Sequence, residues 1–229
     1  MNIAQSGRYG RVRAAAQSRR AYRMAKRMLD LALCLLTFPF VVLLTVLIAA
    51  AIVIDSRGAP IFVQARTGKR GRLFKIYKFR TMQSNHDDRA DREYMQAYIA
   101  GNIPSSEMPT KPSFKPNNGH HITRVGKFLR KTSLDELPQI LNVLRGEMSL
   151  VGPRPNVPWE ADVYQWWHEE RLSVLPGITG LAQIRGRSNL SFDSIARYDI
   201  YYVRNRSLEF DLRILWWTVL TVVSGKGAG

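Results

Sequence analysis

The longest hydrophobic segment of the chain runs from Leu31 to Ile54 and contains no charged residue. It exceeds the roughly 20 apolar residues that a helix needs to cross a bilayer. A buried helix of a soluble protein fits poorly, because strongly basic sequence flanks the segment on both sides. A cleaved signal peptide also fits poorly, since no small-residue cleavage site follows. The pattern therefore predicts a membrane helix near the N terminus.

Basic residues crowd both ends of this membrane segment, with eight arginines and lysines before it and eight between Asp55 and Arg80. Because basic residues favour the cytoplasmic side, a single straight span would place one cluster outside. Pro39 lies inside the segment, lacks a backbone donor and disfavours helical geometry in the residue before it. The proline and the two basic flanks together favour a re-entrant hairpin that returns to the same face. A straight span remains the alternative.

The pattern after the membrane segment changes to short elements. The stretches PIFVQAR and RLFKIYKFR are rich in β-branched and aromatic residues, and TGKRG lies between them, which predicts a β-hairpin. Segment 133–145 predicts a helix, because four leucines recur at helical spacing: Leu134, Leu137, Leu141 and Leu144. Segment 208–223 has an amphipathic start and an apolar finish. Trp216 and Trp217 suit the lipid headgroup level there, although a plain core helix fits equally well.

These elements predict an α+β fold that is mostly helical: a re-entrant membrane hairpin, a small β-hairpin and interfacial amphipathic helices around one core. Residues 1–22 are expected to form a basic, mobile tail and residues 23–56 the re-entrant helix. Residues 57–229 are expected to form a membrane-associated domain on the cytoplasmic face. Within it, the polar, turn-rich segment 83–120 reads as an insertion.

The composition is strongly basic, with 34 Lys and Arg against 18 Asp and Glu and a formal charge of +16. Such an excess favours polyanionic partners: nucleic acid, anionic lipid or phosphorylated substrates. No zinc-ligand spacing or nucleic-acid recognition motif supports the first of these, so nucleic acid is not an expected partner. The chain has one cysteine, Cys34, which excludes an internal disulfide.

Two adjacent acids, Asp135 and Glu136, stand out against this basic background. Ser133 and Glu136 have the spacing of a capping box, and Pro138 suggests that the first helical turn starts at Asp135. An aspartate at a helix N terminus can attack phosphorus to form an acyl phosphate, if cations offset its charge. Magnesium is the natural metal where carboxylates and phosphates share ligands. From the local sequence alone, a cap without catalytic role remains the stronger reading.

Several motifs that follow one another in a specific order make a catalytic role for the acidic pair the stronger interpretation. KRMLD precedes the apolar segment, a proline lies within it, and PIFVQARTGKRGRLFKIYKFRTM follows. RKTSLDELPQILNVLRGEMSLVGPRP, PGITGLAQIRGR and RYDIYYVRNRSLEFDLRIL come after. In these motifs the chain resembles the small monotopic phosphoglycosyl transferases of the bacterial sugar transferase family, from about Lys26 to about Val219. Each motif is modest by itself, and their shared order is specific.

The resemblance implies transfer of a sugar phosphate from a UDP-sugar to polyprenyl (undecaprenyl) phosphate, with release of UMP. It implies a ping-pong reaction through an aspartyl-phosphosugar intermediate, as the first membrane step of exopolysaccharide or glycan assembly. The expected location is the cytoplasmic face of the bacterial inner membrane. Asp135 would be the nucleophile, and Asp135 and Glu136 would hold Mg²⁺.

Other residues match the family's motifs. Those implied near the substrate phosphates are Lys78, Arg130, Arg154 and Asp199. Those implied to shape the nucleotide pocket are Pro176, Gly177 and Gly180. Those implied in the membrane hairpin are Pro39, Lys26 and Arg27.

The chain departs from the family in two places. Phe38 stands where the family often has serine before the proline, so a hydroxyl that could satisfy a freed carbonyl is missing. The insertion 83–120 is longer than in the smallest members. The sequence leaves open which sugar is transferred and whether the chain forms a homodimer. A single-pass scaffold whose acidic pair is only a cap remains the main rival.

Overall fold

A computed structural model describes residues 3–83, 93, 96–97, 99, 122–186 and 190–224, with side chains described from Arg20 onwards except at 223. The N-terminal part consists of helix α1 (Ile3–Asp55), strand β1 (Ile61–Thr67), a 3₁₀ turn (Lys69–Gly71) and strand β2 (Leu73–Phe79). Most of the predicted insertion 83–120 lies outside the described residues, so its role stays a prediction.

The C-terminal part is built from short elements around two longer helices. In chain order they are helix α2 (Arg124–Thr132), the 3₁₀ helix Leu134–Gln139, helix α3 (Ile140–Arg145), strand β3 (Ser149–Val151), helix α4 (Pro158–Ala161), the 3₁₀ helix His168–Ser173, strand β4 (Gly177–Thr179), helix α5 (Leu181–Arg185), helix α6 (Phe192–Asn205) and helix α7 (Leu208–Val223). The described residues are thus mostly helical, as the sequence predicts.

The predicted β-hairpin is confirmed. Strands β1 and β2 pair antiparallel, from Ile61 opposite Phe79 to Thr67 opposite Leu73. Arg70 and Gly71 both have positive φ in the connecting turn. Gly71 can adopt this backbone without strain because it lacks a Cβ.

A second, parallel strand pair was not predicted. In it Ser149 of β3 lies opposite Gly177 of β4. Each strand has only three residues, which is too short for a hydrophobic period to show. The backbones approach closely, since a Cβ on Gly177 would overlap the backbone nitrogen of Gly152.

Helix α1 is continuous in the backbone from Ile3 to Asp55, with Pro39 inside it. It therefore includes residues 3–22 of the segment predicted as a mobile tail. In the described part of the chain, one stretch, Arg20–Asp55, is long and apolar enough to cross a membrane. Only 17% of its most apolar window is buried by the protein. The uncovered apolar surface indicates membrane association.

Helix α1 packs against the rest of the protein in two places. Near its middle, Cys34 is buried in a cluster with Val143 and Met148. Near its end, Ile48 and Ile52 are buried in another cluster with Phe79 and Leu129. A third cluster joins β3, α5, α6 and α7, and its buried members are Val151, Leu181, Tyr202, Val203 and Ile214.

The predicted helix at 133–145 forms, as the 3₁₀ helix followed by α3, and three of its four leucines pack against buried clusters: Leu134, Leu137 and Leu144. Leu141 is 44% exposed, whereas the buried positions include the polar residues Glu136, Gln139 and Asn142. The reason is β2: Asn142 Nδ2 donates to the backbone oxygen of Lys75 at 2.7 Å, and the backbone nitrogen of Tyr77 donates to Asn142 Oδ1. The polar face of the helix thus satisfies the edge of the strand.

Candidate active site

The acidic pair lies in the first turn of the 3₁₀ helix Leu134–Gln139. Oε1 of Glu136 accepts hydrogen bonds from Lys78 Nζ at 3.0 Å and Arg154 Nη1 at 2.9 Å. Burial by itself would raise the pKa of Glu136, but the charges of Lys78 and Arg154 outweigh it and hold that pKa well below its usual range. Glu136 is therefore an ionised carboxylate clamped by two cations.

The capping-box prediction is wrong. The 3₁₀ helix begins at Leu134 rather than Asp135, and the Ser133 side chain makes no capping hydrogen bond. Ser133 has a left-handed backbone with φ 57°, because it ends α2 and starts the next helix at a sharp turn. Glu136 does not reach back to Ser133 as a capping box requires, since its carboxylate turns to Lys78 and Arg154.

Asp135 differs from Glu136 in its electrostatics. Burial and the neighbouring charge of Glu136 raise the pKa of Asp135, while Lys78, Arg154 and Arg130 oppose that rise. Arg130 lies in the last turn of α2, where its Nε donates to Thr81 Oγ1 at 2.9 Å. The structure thus brings together four predicted residues around Asp135: Glu136, Lys78, Arg130 and Arg154.

Four separate elements position these side chains. Lys78 comes from β2, Arg130 from α2, the acidic pair from the 3₁₀ helix, and Arg154 from the loop that follows β3. The contact between β2 and the 3₁₀ helix is extensive, and Asn142 holds it in register. The site therefore depends on tertiary packing rather than on one local motif.

Asp199 is not placed beside the acidic pair. It is 1% exposed in α6, and its Oδ2 lies 2.5 Å from Arg171 Nη2. The same nitrogen of Arg171 also donates to the backbone oxygen of Arg154 at 3.2 Å. Asp199 thus supports the loop of Arg154 through Arg171, and its expected place near the substrate phosphates stays a prediction.

A narrow cleft, too small to hold a water molecule, adjoins the clamp on Glu136. Its lining residues are Arg66, Ile76, Lys78, Gln139, Arg154, Pro155 and Gly177. Of the predicted pocket residues, Gly177 lines this cleft directly. Pro176 and Gly180 hold β4 against β3 instead: the Pro176 oxygen accepts from the Ser149 nitrogen, and Gly180 packs on the Gly152 backbone.

Arg66 and Gln139 line the cleft but were missed as site residues. Arg66 lies in the hairpin motif among many other basic residues, and Gln139 lies on the helix in a position typical of surface polar residues. Their relation to Lys78 and Arg154 arises only when β1, β2 and the 3₁₀ helix pack together. The spacing along the chain carries no signal for it.

Lys26 and Arg27, expected on the basic side of the membrane hairpin, both turn into the protein. Lys26 Nζ donates to Asp30 Oδ1 at 2.7 Å and lies 3.8 Å from Asp211 Oδ2 in α7. Arg27 donates to the backbone oxygens of Val143 and Leu144 at the end of α3. They anchor α1 to the body of the protein. Pro39 is exposed within α1.

The described residues contain no group of three or more His, Cys, Asp or Glu that could hold a metal ion by themselves. The acidic pair offers two adjacent carboxylates, and one oxygen of Glu136 is already taken by Lys78 and Arg154. This donor set fits Mg²⁺ shared with substrate phosphates, because Mg²⁺ commonly takes one or two carboxylates and keeps several waters.

Similarity to known proteins indicates the family of this chain independently of its structure. The chain is 39% identical over 209 residues to the galactosyl transferase CpsE of Streptococcus agalactiae, a match that covers 91% of this chain and 44% of that protein. It is 42% identical over 171 residues to the undecaprenyl-phosphate galactose phosphotransferase of Salmonella typhimurium, covering 75% of this chain and 35% of that protein.

A shorter relative matches along nearly all of its length. The exopolysaccharide production protein ExoY of Sinorhizobium fredii is 37% identical over 205 residues, covering 90% of this chain and 88% of that protein. By contrast, the chain spans less than half of CpsE and of the Salmonella protein. The family model for bacterial sugar transferases matches residues 21–225, which include α1 from residue 21 onwards, the acidic pair and the cations around it. The chain therefore belongs to the bacterial sugar transferase family.

Proposed function

We propose that the protein transfers a sugar 1-phosphate from a UDP-sugar to polyprenyl phosphate, namely undecaprenyl phosphate, and releases UMP. The observation that carries the proposal is the pairing of two adjacent carboxylates with unequal environments. Glu136 is clamped by Lys78 and Arg154, while the adjacent Asp135 lies within the field of the same cations and Arg130. The family membership and the names of the relatives support the same reaction.

The reaction has two steps in this site. An oxygen of Asp135 attacks the phosphorus that carries the sugar, the bond from that phosphorus to the bridging oxygen breaks, and UMP leaves with that oxygen. A phosphate oxygen of the polyprenyl phosphate then attacks the same phosphorus, and the bond to Asp135 breaks. The polyprenyl-diphospho-sugar is released and the carboxylate is restored. Lys78, Arg130 and Arg154 supply positive charge against the phosphoryl oxygens in both steps.

Asp135 and Glu136 would together hold Mg²⁺ against the phosphates of the donor. When bound, the ion would neutralise phosphate charge and so reduce the repulsion between the carboxylate and the diphosphate. Lys78 and Arg154 keep Glu136 ionised, because their charges hold its pKa low. Glu136 therefore remains available as a ligand across the physiological pH range.

For the membrane segment we propose a re-entrant hairpin that enters and leaves at the cytoplasmic face. Every residue from Leu35 to Phe40 is exposed, so no side of α1 touches the body around Pro39. The body is contacted again from Leu44 onwards. The support for the hairpin is the proline, the exposed stretch around it and the basic sequence on both flanks, while the helix itself is continuous through Pro39.

Helix α7 also exposes an apolar surface. Trp216 is 62% exposed and Trp217 36%, and Leu212, Val219 and Leu220 are exposed with them. Tryptophans suit the headgroup level of a membrane. The interfacial position of α7 would hold the cleft at the depth where a water-soluble donor and a lipid-linked phosphate can meet.

The test is turnover of purified protein with Mg²⁺, a panel of UDP-sugars and undecaprenyl phosphate. We expect UMP release with the correct sugar, and without acceptor we expect radiolabelled sugar phosphate to stay on the protein. Asp135→Asn should lower both signals to background, whereas Asp162→Asn, at an exposed aspartate, should leave them unchanged. Full turnover in Asp135→Asn would refute the nucleophile. No turnover with any UDP-sugar would favour the rival scaffold role.

A further inference from the structure

The loop 152–157, which carries Arg154, is held along its backbone by donors from three other elements: β4, the 3₁₀ helix His168–Ser173 and β1. Four successive carbonyls of the loop each accept a hydrogen bond. They are those of Pro153 from Gly177 N at 2.9 Å, Arg154 from Arg171 Nη2 at 3.2 Å, Pro155 from Arg66 Nη1 at 3.3 Å and Asn156 from Thr67 N at 2.8 Å. The position of Arg154 is therefore set by contacts from outside its own loop.

The sequence of the loop restricts Arg154 further. Pro153 and Pro155 flank it, and each proline fixes its own φ. Pro155 also disfavours helical backbone at Arg154. Because neither proline has a backbone donor, the loop depends on its carbonyls, and on the donors that reach them, for its attachment to the protein. The direction of the Arg154 side chain thus follows from where the neighbouring carbonyls are held.

Arg66 differs from the backbone donors because it is a cationic side chain held at two nitrogens. Its Nη1 donates to the backbone oxygen of Pro155, and its Nη2 donates to Gln64 Oε1 at 2.7 Å. A planar guanidinium that is held at two nitrogens has few alternative orientations. Since both of these nitrogens are engaged by the protein, their direct effect is on the loop.

The charge of Arg66 also acts on Arg154. Burial and the charge of Arg154 lower the pKa of Arg66 to about 10, so Arg66 remains a cation at neutral pH. Repulsion between the two guanidinium groups disfavours a turn of Arg154 towards Arg66, whereas the carboxylate of Glu136 attracts Arg154. The Arg154 side chain is still 38% exposed, so a phosphate can reach it while it is held in this direction.

We propose that Arg66 is a positioning residue of the active site, which directs the Arg154 side chain by holding the carbonyl of Pro155 and by repelling the Arg154 guanidinium. This inference rests on the proposed function, in which Arg154 stabilises the phosphoryl oxygens. Displacement of such a group by about 1 Å can lower a rate about 100-fold. Arg66 therefore acts on the reaction through Arg154.

The test is a double-mutant cycle between Arg66→Met and Arg154→Gln, with kcat and the KM for the UDP-sugar measured for each protein. Arg66→Met removes both the donor and the charge. We expect its kcat to fall about 100-fold with a smaller change in KM, because the lost contribution is made in the transition state. In the Arg154→Gln background the same change should lower kcat little further, since no guanidinium is left to position. An unchanged kcat in Arg66→Met, or additive losses in the double variant, would overturn the proposal.

Two further variants separate positioning from a general loss of structure. Gln64→Leu releases Nη2 of Arg66 and keeps the arginine, so it should lower kcat by less and with the same non-additivity, even if Arg66→Met does not fold. Arg27→Met is the matched control, because Arg27 also donates to backbone oxygens, but to those of Val143 and Leu144 in α3. Any loss of kcat in Arg27→Met should add to that of Arg154→Gln. A non-additive loss there would show that the coupling is not specific to Arg66.

The wild-type protein tests the proposed function separately. A wild type that turns over no UDP-sugar would refute that function and leave the positioning role to be measured by stability. The free energy of unfolding is then compared for the same four proteins of the Arg66→Met and Arg154→Gln cycle. Non-additive losses support the coupling of the two arginines, and additive losses refute it.

Discussion

Nη2 of Arg171 lies 2.5 Å from Oδ2 of Asp199, and both side chains are 1% exposed. The same nitrogen donates to the backbone oxygen of Arg154, whose own side chain clamps Glu136. A buried ion pair therefore supports the loop that carries a cation of the site. Asp199 acts through Arg171, as a positioning residue without contact to the acidic pair.

Asp199→Asn should destabilise the fold strongly, because it leaves the buried guanidinium of Arg171 without its counter-charge. Breaking one partner of a buried pair costs about 3–5 kcal/mol. The free energy of unfolding, measured by denaturant titration, gives the loss. Glu170→Gln is the control, since it removes the partner of Arg204 in an exposed pair and should change stability little. Equal stability of Asp199→Asn and wild type would contradict the supporting role.

Arg130→Gln should shift the acid side of the pH–rate profile to higher pH. Burial and Glu136 raise the pKa of Asp135, and Arg130 is one of the cations that oppose this rise. Removing it raises the pKa further, so the protonated, non-nucleophilic form persists at higher pH. The measurement is kcat/KM against pH. Lys127→Gln removes the same charge from an exposed position of α2 and should leave the profile in place.

Gly177→Ala should disrupt the contact between β3 and β4. The added Cβ would overlap the backbone nitrogen of Gly152, and backbone cannot move aside as a side chain can. Overpacking of this kind costs about 1–3 kcal/mol or more, so the free energy of unfolding, measured by denaturant titration, should fall. Gly71→Asn is the comparison: nothing lies within 4 Å of that position, and asparagine tolerates its positive φ. A silent Gly177→Ala would refute the close approach.

Both ends of the membrane segment should face the same compartment. In a Cys34→Ala background, Arg20→Cys and Arg57→Cys place thiols at exposed positions on either side of the segment, and Leu36→Cys places one near Pro39. A membrane-impermeant thiol reagent should label the first two in inside-out vesicles and neither in intact spheroplasts. The Leu36→Cys thiol should be protected from the water-soluble reagent in both. Labelling of Arg20→Cys and Arg57→Cys from opposite sides would establish a straight span.

The hydrophobic pattern predicted the long elements well and the buried faces less well. The uncharged segment Leu31–Ile54 forms a long helix and the β-hairpin forms as expected, because hydrophobicity and β propensity are local properties, whereas the re-entrant path stays a proposal. Segment 133–145 was correctly a helix, yet Leu141 is exposed while Gln139 and Asn142 are buried. Leucine spacing identified only part of the buried surface, since Leu134, Leu137 and Leu144 pack on core clusters while polar residues are buried beside them. Here the packing partner includes the backbone edge of β2, which requires polar groups.

The linear order of residues was sufficient to locate the acidic pair, the membrane helix and the family, since each is carried by contiguous sequence. Folding was required to show that Lys78 and Arg154 both clamp Glu136, that Asp199 lies behind the site, and that Arg66 and Gln139 share a cleft. These relations join residues that are far apart in the chain: Arg154 lies 18 positions from Glu136, and Lys78 lies 58 positions from it. Contacts of that kind depend on how β2, the 3₁₀ helix and the β3 loop pack, and the packing of separate elements leaves no periodic trace in the chain.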